Sequence, residues 1–472
     1  MSFLFFSTHS AADDLLQDFS DSMGVSTDQV KYLMYSILCG PLCYALRFLP
    51  NNKLLKQIVY MILGIVLTYA LFGNEIISVF FTTIPVYLVM LFFPTQTGAN
   101  VSFIICFCYL LFRHIFLYFN MYLIWTVDFT TTHMILTLKL TSFCFSVANA
   151  KKENLNDFQT KHKIEKYPNI LDFFSFIFFF PGLFSGPALE YNDFMAFMDM
   201  SVFNVTGGKL PEVPIVEFLL NYIGGIAAYF FYAFVNAHPP PSPEYYILEH
   251  PETCGLLWKL MTVWVTVSTL RIKYYATWKL TEGFGQISAC GFSGLDKEGK
   301  PQFLLYQNIR IIEFETSRSA KTNIDNWNMY VQKWLKNYVY VALTGTYFDN
   351  FKTSLTMVVS AFWHGVYPGY YLTFLLVGFH KDVSNLIYKK LDPFINEKFG
   401  KDSTVAKVYD IVLRVYTHWV LNYAVYPFMR FEFIPSVTMM YRTYFLGILV
   451  PAAIYCWLKF SPPKIEKTEK KN

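Results

Sequence analysis

The chain has 472 residues, of which 54% are hydrophobic and only 15% charged, against about 25% charged in an ordinary soluble domain; a water-soluble fold is excluded. Aromatic residues reach 19%, with 49 Phe and 34 Tyr, and this apolar surplus points to lipid as the solvent. The net charge of +4 is small and its positive residues sit between apolar stretches rather than in one patch, which sets nucleic acid aside as a partner.

From the N-terminus, Met1 to Thr27 includes Asp13, Asp14, Asp18 and Asp21 and lacks the basic start of a cleaved signal, so insertion depends on internal spans. Crossing about 30 Å of hydrocarbon takes about 20 helical residues. Candidate spans are Val30–Leu49, Leu54–Phe72, Glu75–Phe93, Val101–Trp125, Phe129–Ala148, Ile170–Leu189, Pro214–Val235 and Leu256–Ile272. Leu355–Gly378, Ala406–Phe428 and Val437–Leu458 follow. The expected fold is therefore all-α and polytopic, with about eleven transmembrane helices. A polar segment 1–29 precedes this multi-pass domain, 30–460, and a lysine-rich tail, 461–472, follows it. The flanking lysines, among them Lys53, Lys151 and Lys389, leave the orientation open.

Three polar stretches interrupt the pattern: Lys151–Tyr167, Met198–Glu212 and a long one from about Thr281 to Asn350. In the last, Ile324, Trp327, Val331, Trp334, Leu335 and Tyr338 recur at three- and four-residue spacing, which predicts one amphipathic helix at the membrane interface. The eight cysteines form no CxxC pair and are read as buried thiols, with no metal site among them. The sequons at Asn100 and Asn204 carry no argument without a luminal face.

The chemistry centres on His364, in Ser360-Ala361-Phe362-Trp363-His364-Gly365 followed by Pro368-Gly369-Tyr370-Tyr371, inside an apolar run. An ionisable group there is costly unless it works or is paired. Burial disfavours the imidazolium, and a neutral imidazole accepts a proton from an attacking hydroxyl. Ser360 and Ala361 lie one turn earlier and leave room for a substrate atom, while Gly365, Pro368 and Gly369 loosen the helix. His114, His133, His380 and His418 also lie in or near apolar runs, and for any isolated one a structural hydrogen bond is the plainer role. Asn328, on the border of the amphipathic stripe, offers an amide that both donates and accepts; taken alone, an exposed polar helix residue is its plainer reading.

The segment Trp327-Asn328 to Tyr340, followed by Phe362-Trp363-His364-Gly365 and Pro368-Gly369-Tyr370-Tyr371, resembles the membrane-bound O-acyltransferase family, in its lysophospholipid branch. Gly182-Leu183-Phe184-Ser185-Gly186-Pro187 with Tyr191-Asn192-Asp193-Phe194 resembles the family's glycine-proline motif. Asp325-Asn326-Trp327-Asn328 only partly matches the FYxDWWN signature of the sterol and diacylglycerol branch. Within the phospholipid branch the similarity runs toward lysophosphatidylcholine acyltransferases.

This resemblance implies that the transmembrane helices surround a buried catalytic tunnel, with His364 as the catalytic base and Asn328 its upstream partner. Acyl-CoA is the implied co-substrate, no further cofactor is called for, and the acceptor is a lysophospholipid in the bilayer of the endoplasmic reticulum. Trp363, Ser360, Trp334 and Lys333 are the candidate substrate-binding residues, with Arg310, Arg318, Lys321 and Lys336 as further cations for the CoA phosphates; aromatic core for the tryptophans and a solvated interfacial charge for each cation are the plainer readings. The tail from Lys464 resembles a dilysine retrieval signal, but Lys470 and Lys471 are one position out of register. Two alternatives stand beside this reading: another acceptor (sterol, diacylglycerol or protein), or a transporter whose polar path uses His364, Arg113 and Lys139. Acyl-chain preference and oligomeric state are not encoded in any motif.

Overall fold

Glycine, proline and asparagine cut the hydrophobic runs into pieces, and the computed structural model describes those pieces over residues 16, 17, 20, 26–124, 128–238 and 242–463. The acidic N-terminal cluster and the lysine-rich tail lie outside the described residues. The described part is helical apart from one short antiparallel pair, Gly294–Leu295 with Pro301–Gln302. The helices used below are α1 (Thr27–Ala45), α2 (Lys53–Phe72), α3 (Ser78–Phe92), α4 (Gln96–Asn120), α5 (Phe129–Asn149), α6 (Asp157–His162), α7 (Ile170–Ile177), α8 (Tyr191–Met198) and α9 (Ile215–Ala237). They continue with α10 (Leu256–Ser288), α11 (Ile311–Glu315), α12 (Ala320–Asp325), α13 (Met329–Trp334), α14 (Lys352–His364), α15 (Pro368–Leu386), α16 (Thr404–Arg430), α17 (Phe433–Arg442) and α18 (Leu446–Phe460).

Two compact units result. The first comprises Met1–His238, Ile272–Ile309 and Met329–Thr346. In it α4 and α5 form the most extensive helix pair, with α3 against both. Nearly every residue of α5 is buried, polar ones included. An aromatic core fills the space behind: Tyr60 packs on Phe179 at 5.0 Å and Phe197 at 5.9 Å, and Phe143 on Phe173 at 5.2 Å and Tyr191 at 5.6 Å. Such pairs contribute about 0.5–1.5 kcal/mol each beyond burial. Large side chains face outward instead, for example Ile62 and Val66 on α2, Ile104 and Phe119 on α4, and Leu220 and Phe234 on α9. An apolar stripe of that kind fits lipid.

The second unit comprises Pro239–Arg271, Arg310–Asn328 and Tyr347–Asn472. Its hub is α15, which packs against α12, α14, α16 and α18. Leu376, Tyr423, Tyr426, Met439 and Met440 form part of its core.

Among the described residues three helical stretches are long and apolar enough to cross a membrane: Lys53–Phe92, Gln96–Asn120 and Ile215–Asn236. A bent pair, Phe433–Arg442 with Leu446–Phe460 at 69°, makes up to four. Several expected spans are interrupted. Ile170–Leu189 is α-helical only to Ile177, because Pro181 follows and cannot continue the helix. Leu355–Gly378 breaks at His364, and Val437–Leu458 bends where Tyr444 and Phe445 take positive φ. The single amphipathic helix expected across Ile324–Tyr338 is also two helices, α12 and α13, separated by a turn at Asn326–Asn328. Asparagine competes with the helix through its own side chain and tolerates left-handed backbone, as Asn328 does at φ +45°. The cysteine expectation needs a correction as well: Cys39, Cys43, Cys106, Cys144 and Cys290 are buried, but Cys108 and Cys456 are exposed and Cys254 is intermediate. Two residues along a helix is about 200° of rotation, so Cys106 faces the core and Cys108 faces out.

Candidate active site

His364 is the last residue of α14, and Gly365 ends that helix with φ +141° and ψ −165°, a conformation that favours glycine. Two residues later Tyr367 is extended and Pro368 starts α15 as its first residue. The half-buried imidazole stacks on Phe374 at 5.1 Å, meets Phe428 edge-on at 5.0 Å and Trp363 at 4.7 Å, and lies 5.8 Å from Tyr370. Tyr370 and Phe374 are one turn apart on α15 and present one face to it. Phe428 arrives from α16 because Gly369 lets the helices touch: its N–H donates to the Phe431 carbonyl at 2.8 Å, and a Cβ there would stand 2.1 Å from the Pro427 carbonyl oxygen. Ser360, Ala361 and Trp363 are buried.

Asn328 belongs to the same unit, in the turn after α12. That turn is tied from several sides. The Asn326 carbonyl accepts from the Arg310 N–H at 3.2 Å and the Asn326 amide donates to the Thr322 carbonyl at 2.8 Å. The Asn323 amide donates to the Phe314 carbonyl at 3.1 Å, and the Trp327 ring lies 5.0 Å from that of Phe314. Because α12 packs on α15, the Asn328 turn and His364 are both referenced to α15.

Lys333 and Trp334 lie on α13, in the first unit. Lys333 is exposed, whereas Trp334 is 1% exposed and enclosed by protein: its ring stacks on Phe107 and Phe103, and its Nε1 donates to Thr141 Oγ1 at 3.1 Å. Farther along the same helical stretch, Tyr338 Oη donates to Glu190 Oε2 at 3.0 Å and lies 3.4 Å from Ser146 Oγ. Glu190 lies three residues after Pro187, just before the Tyr191–Phe194 part of the glycine-proline stretch, so that stretch and the latter part of the Trp327–Tyr340 segment meet through this pair.

The family model of the membrane-bound O-acyltransferases matches residues 114–426, more than half of the chain, and that range includes both Asn328 and His364. This chain belongs to the membrane-bound O-acyltransferase family. It is 28% identical over 453 residues to the lysophospholipid acyltransferase of Schizosaccharomyces pombe, covering 93% of this chain and 88% of the relative. Human membrane-bound glycerophospholipid O-acyltransferase 2 is 28% identical over 470 residues, covering 94% and 88%. The lysophospholipid acyltransferase of Saccharomyces cerevisiae is 26% identical, covering 94% and 76%.

The charged residues of this O-acyltransferase that the sequence places in apolar runs have structural partners. Arg113, 1% exposed, pairs with Glu75 at 2.7 Å and with Asp128 at 3.3 Å. Lys139 Nζ donates to the Phe176 carbonyl at 2.6 Å and the Ile177 carbonyl at 3.1 Å, at the negative end of α7. A polar transport path through Arg113 and Lys139 therefore loses its basis. Two of the cations considered for CoA are also engaged: Arg318 with Asp392 and Asp410, and Lys321 with Asp325. Sequence reasoning missed Glu75, Asp128 and Glu190, whose only signal was acidity within or beside an apolar stretch. A cleft of about 330 Å³ lined by Glu217, Asn221, Glu282 and Gln286, among others, contains none of the expected site residues.

Proposed function

We propose that this chain transfers a fatty acyl group from acyl-CoA to the free hydroxyl of a lysophospholipid, in the membrane of the endoplasmic reticulum. The observation that carries this reading is the imidazole of His364, held by four aromatic rings at a break between two helices, inside the family-matched region. Irregular backbone at membrane depth is tolerated where it lines a cavity, and the relatives named as lysophospholipid acyltransferases set the acceptor class.

His364 takes the proton of the acceptor hydroxyl as its oxygen attacks the thioester carbonyl. The tetrahedral oxyanion collapses, the C–S bond breaks, and the proton on the imidazole passes to the departing CoA thiolate. The products are a diacyl phospholipid and CoA. Asn328 orients the acceptor hydroxyl or the imidazole through its amide. Trp363 and Ser360 wall the tunnel beside the base, Lys333 faces the CoA phosphates, and Trp334 holds its helix rigid. A thioester is already activated, so one base, positioning and exclusion of water suffice.

The test is a competition in purified membranes. Lysophosphatidylcholine, its ethanolamine and serine analogues, cholesterol and diacylglycerol share one labelled acyl-CoA pool, and products are separated by mass. The expected product is a diacyl phospholipid; a dominant steryl ester or triacylglycerol would overturn the acceptor class.

A further inference from the structure

The second unit contains a polar node, buried at Arg271 and Asn422 and partly exposed at Glu315, that the reaction as described does not use. Arg271, on α10 and 8% exposed, grips Glu315 with both ends of its guanidinium: Nε donates to Oε1 at 3.0 Å and Nη2 to Oε2 at 3.0 Å. Nη1 donates to Asn422 Oδ1 on α16 at 2.5 Å, and Nη2 also donates to Ser268 Oγ at 3.1 Å. Only a planar fork makes this set of bonds at once; a lysine ammonium does not. Among the described residues the buried Asn422 Nδ2 atom has no hydrogen-bond partner, so this amide is satisfied at its oxygen, by Arg271.

We propose that Arg271 is a positioning residue for acyl transfer, which locks the turn carrying Asn328 to the helix that walls His364. This inference rests on the roles given to those two residues above. On one side of the node, Glu315 closes α11 immediately after Phe314, and the Arg271 guanidinium carbon lies 5.5 Å from the centre of the Phe314 ring. Phe314 in turn carries the Trp327 ring at 5.0 Å, and its carbonyl accepts from Asn323. Its position therefore sets that of Trp327, and Asn328 is the next residue. On the other side, Asn422 lies six residues before Phe428 on α16, about 9 Å along a rigid helix, and Phe428 packs edge-on against the His364 imidazole. The clamp thus joins both halves of the reacting pair through a single side chain. A further titratable neighbour is His418, with Nδ1 3.8 Å from Glu315 Oε2 and its ring 6.4 Å from that of Phe314.

Loosening such a clamp misplaces the two groups without removing either, and a misplacement of about 1 Å costs on the order of a hundredfold in rate. The test compares Arg271→Met, Arg271→Lys and Glu315→Gln in full-length protein reconstituted into nanodiscs. Each is assayed for kcat, for KM toward acyl-CoA and lysophosphatidylcholine, and for unfolding temperature. The expected result for Arg271→Met is a kcat lowered by about ten- to a hundredfold with both KM values within about threefold of wild type. Arg271→Lys should recover part of that loss. If Arg271→Met does not fold, the same split is read from Glu315→Gln, which keeps the shape of the fork but not its charge. A kcat per folded molecule equal to wild type, with only the unfolding temperature lowered, would overturn the inference, as would a change confined to KM. If His364→Ala and Asn328→Ala are themselves fully active, the site reading has failed; if they are inactive while Arg271→Met turns over normally, only the present inference falls.

Discussion

Replacing His364 should separate chemistry from stability, because its two kinds of interaction have different sizes. A positioned general base contributes about 10²–10⁴ in rate, or about 3–5.5 kcal/mol of barrier at about 1.4 kcal/mol per decade. The ring contacts with Trp363, Phe374 and Phe428, at 4.7, 5.1 and 5.0 Å, contribute to stability at about 0.5–1.5 kcal/mol each when well formed. The side chain is only half-buried, so truncation leaves no sealed cavity, and His364→Ala should cost about 1–3 kcal/mol of stability. His364→Phe keeps an aromatic ring in the same cage and removes the base. It should therefore unfold close to the wild-type temperature yet transfer acyl groups at least roughly a hundredfold more slowly. The assay is labelled acyl-CoA with lysophosphatidylcholine in nanodiscs, alongside thermal unfolding of the same preparation. Transfer by folded His364→Phe within about threefold of wild type would refute the base assignment.

Asn328→Ala should impair transfer strongly while keeping the wild-type gel-filtration profile; Asn328→Gly, which suits the φ of +45°, should be equally impaired, since the amide and not the backbone is proposed to act. Gly369→Ala should lower the unfolding temperature and the transfer rate together, because its Cβ would meet the Pro427 carbonyl oxygen, an overpacking cost of about 1–3 kcal/mol; unchanged unfolding would show that the α15–α16 contact is not needed. Arg113→Leu should cost about 3–5 kcal/mol by stranding Glu75, and Arg113→Leu with Glu75→Leu should be milder than either single change; a double mutant no better than the singles, by thermal unfolding, would contradict this. Burial alone would raise the Asp193 carboxyl, but the His162 hydrogen bond and the Lys161 charge outweigh it and hold it below its ordinary 3.8. A depressed carboxyl stabilises above its unfolded value and loses that contribution as pH falls through the folded one, so the unfolding gap between wild type and Asp193→Asn should hold near neutrality and close below about pH 4.

Composition alone made lipid the solvent and helix the fold, because 15% charged residues cannot cover a soluble surface of this size. The position of His364 was legible for a related reason: Gly365, Pro368 and Gly369 announce a helix break, and the structure breaks there. Asn328 was legible as a residue but not as a conformation. Ile324, Trp327 and Val331 keep helical spacing across the break, and periodicity carries no record of a left-handed residue between two short helices. Trp334 was placed on an amphipathic stripe facing an interface, yet its ring packs on Phe103 and Phe107 and bonds Thr141 inside the protein. A hydrophobic face states that something covers it, never what does.

The same limit explains why the buried charges were harder to read than the base. Arg113 finds Glu75 38 residues away, Tyr338 finds Glu190 148 away, and Arg271 finds Asn422 151 away. No local pattern links such partners, since the free energy that retains each charge in an apolar helix comes from a segment elsewhere in the chain. A membrane enzyme has a further reason to hold such pairs. With lipid outside, a break in a helix exposes backbone groups that only protein or enclosed water can satisfy, so a break at Gly365 or Asn328 persists only where the surrounding contacts determine it fully. Around Asn328 those contacts are Arg310, Thr322, Phe314 and, through Phe314, Arg271. The reactive geometry is in this way a property of the supports as much as of the two residues proposed to carry the chemistry, and activity should prove sensitive to substitutions among those supports that never touch a substrate.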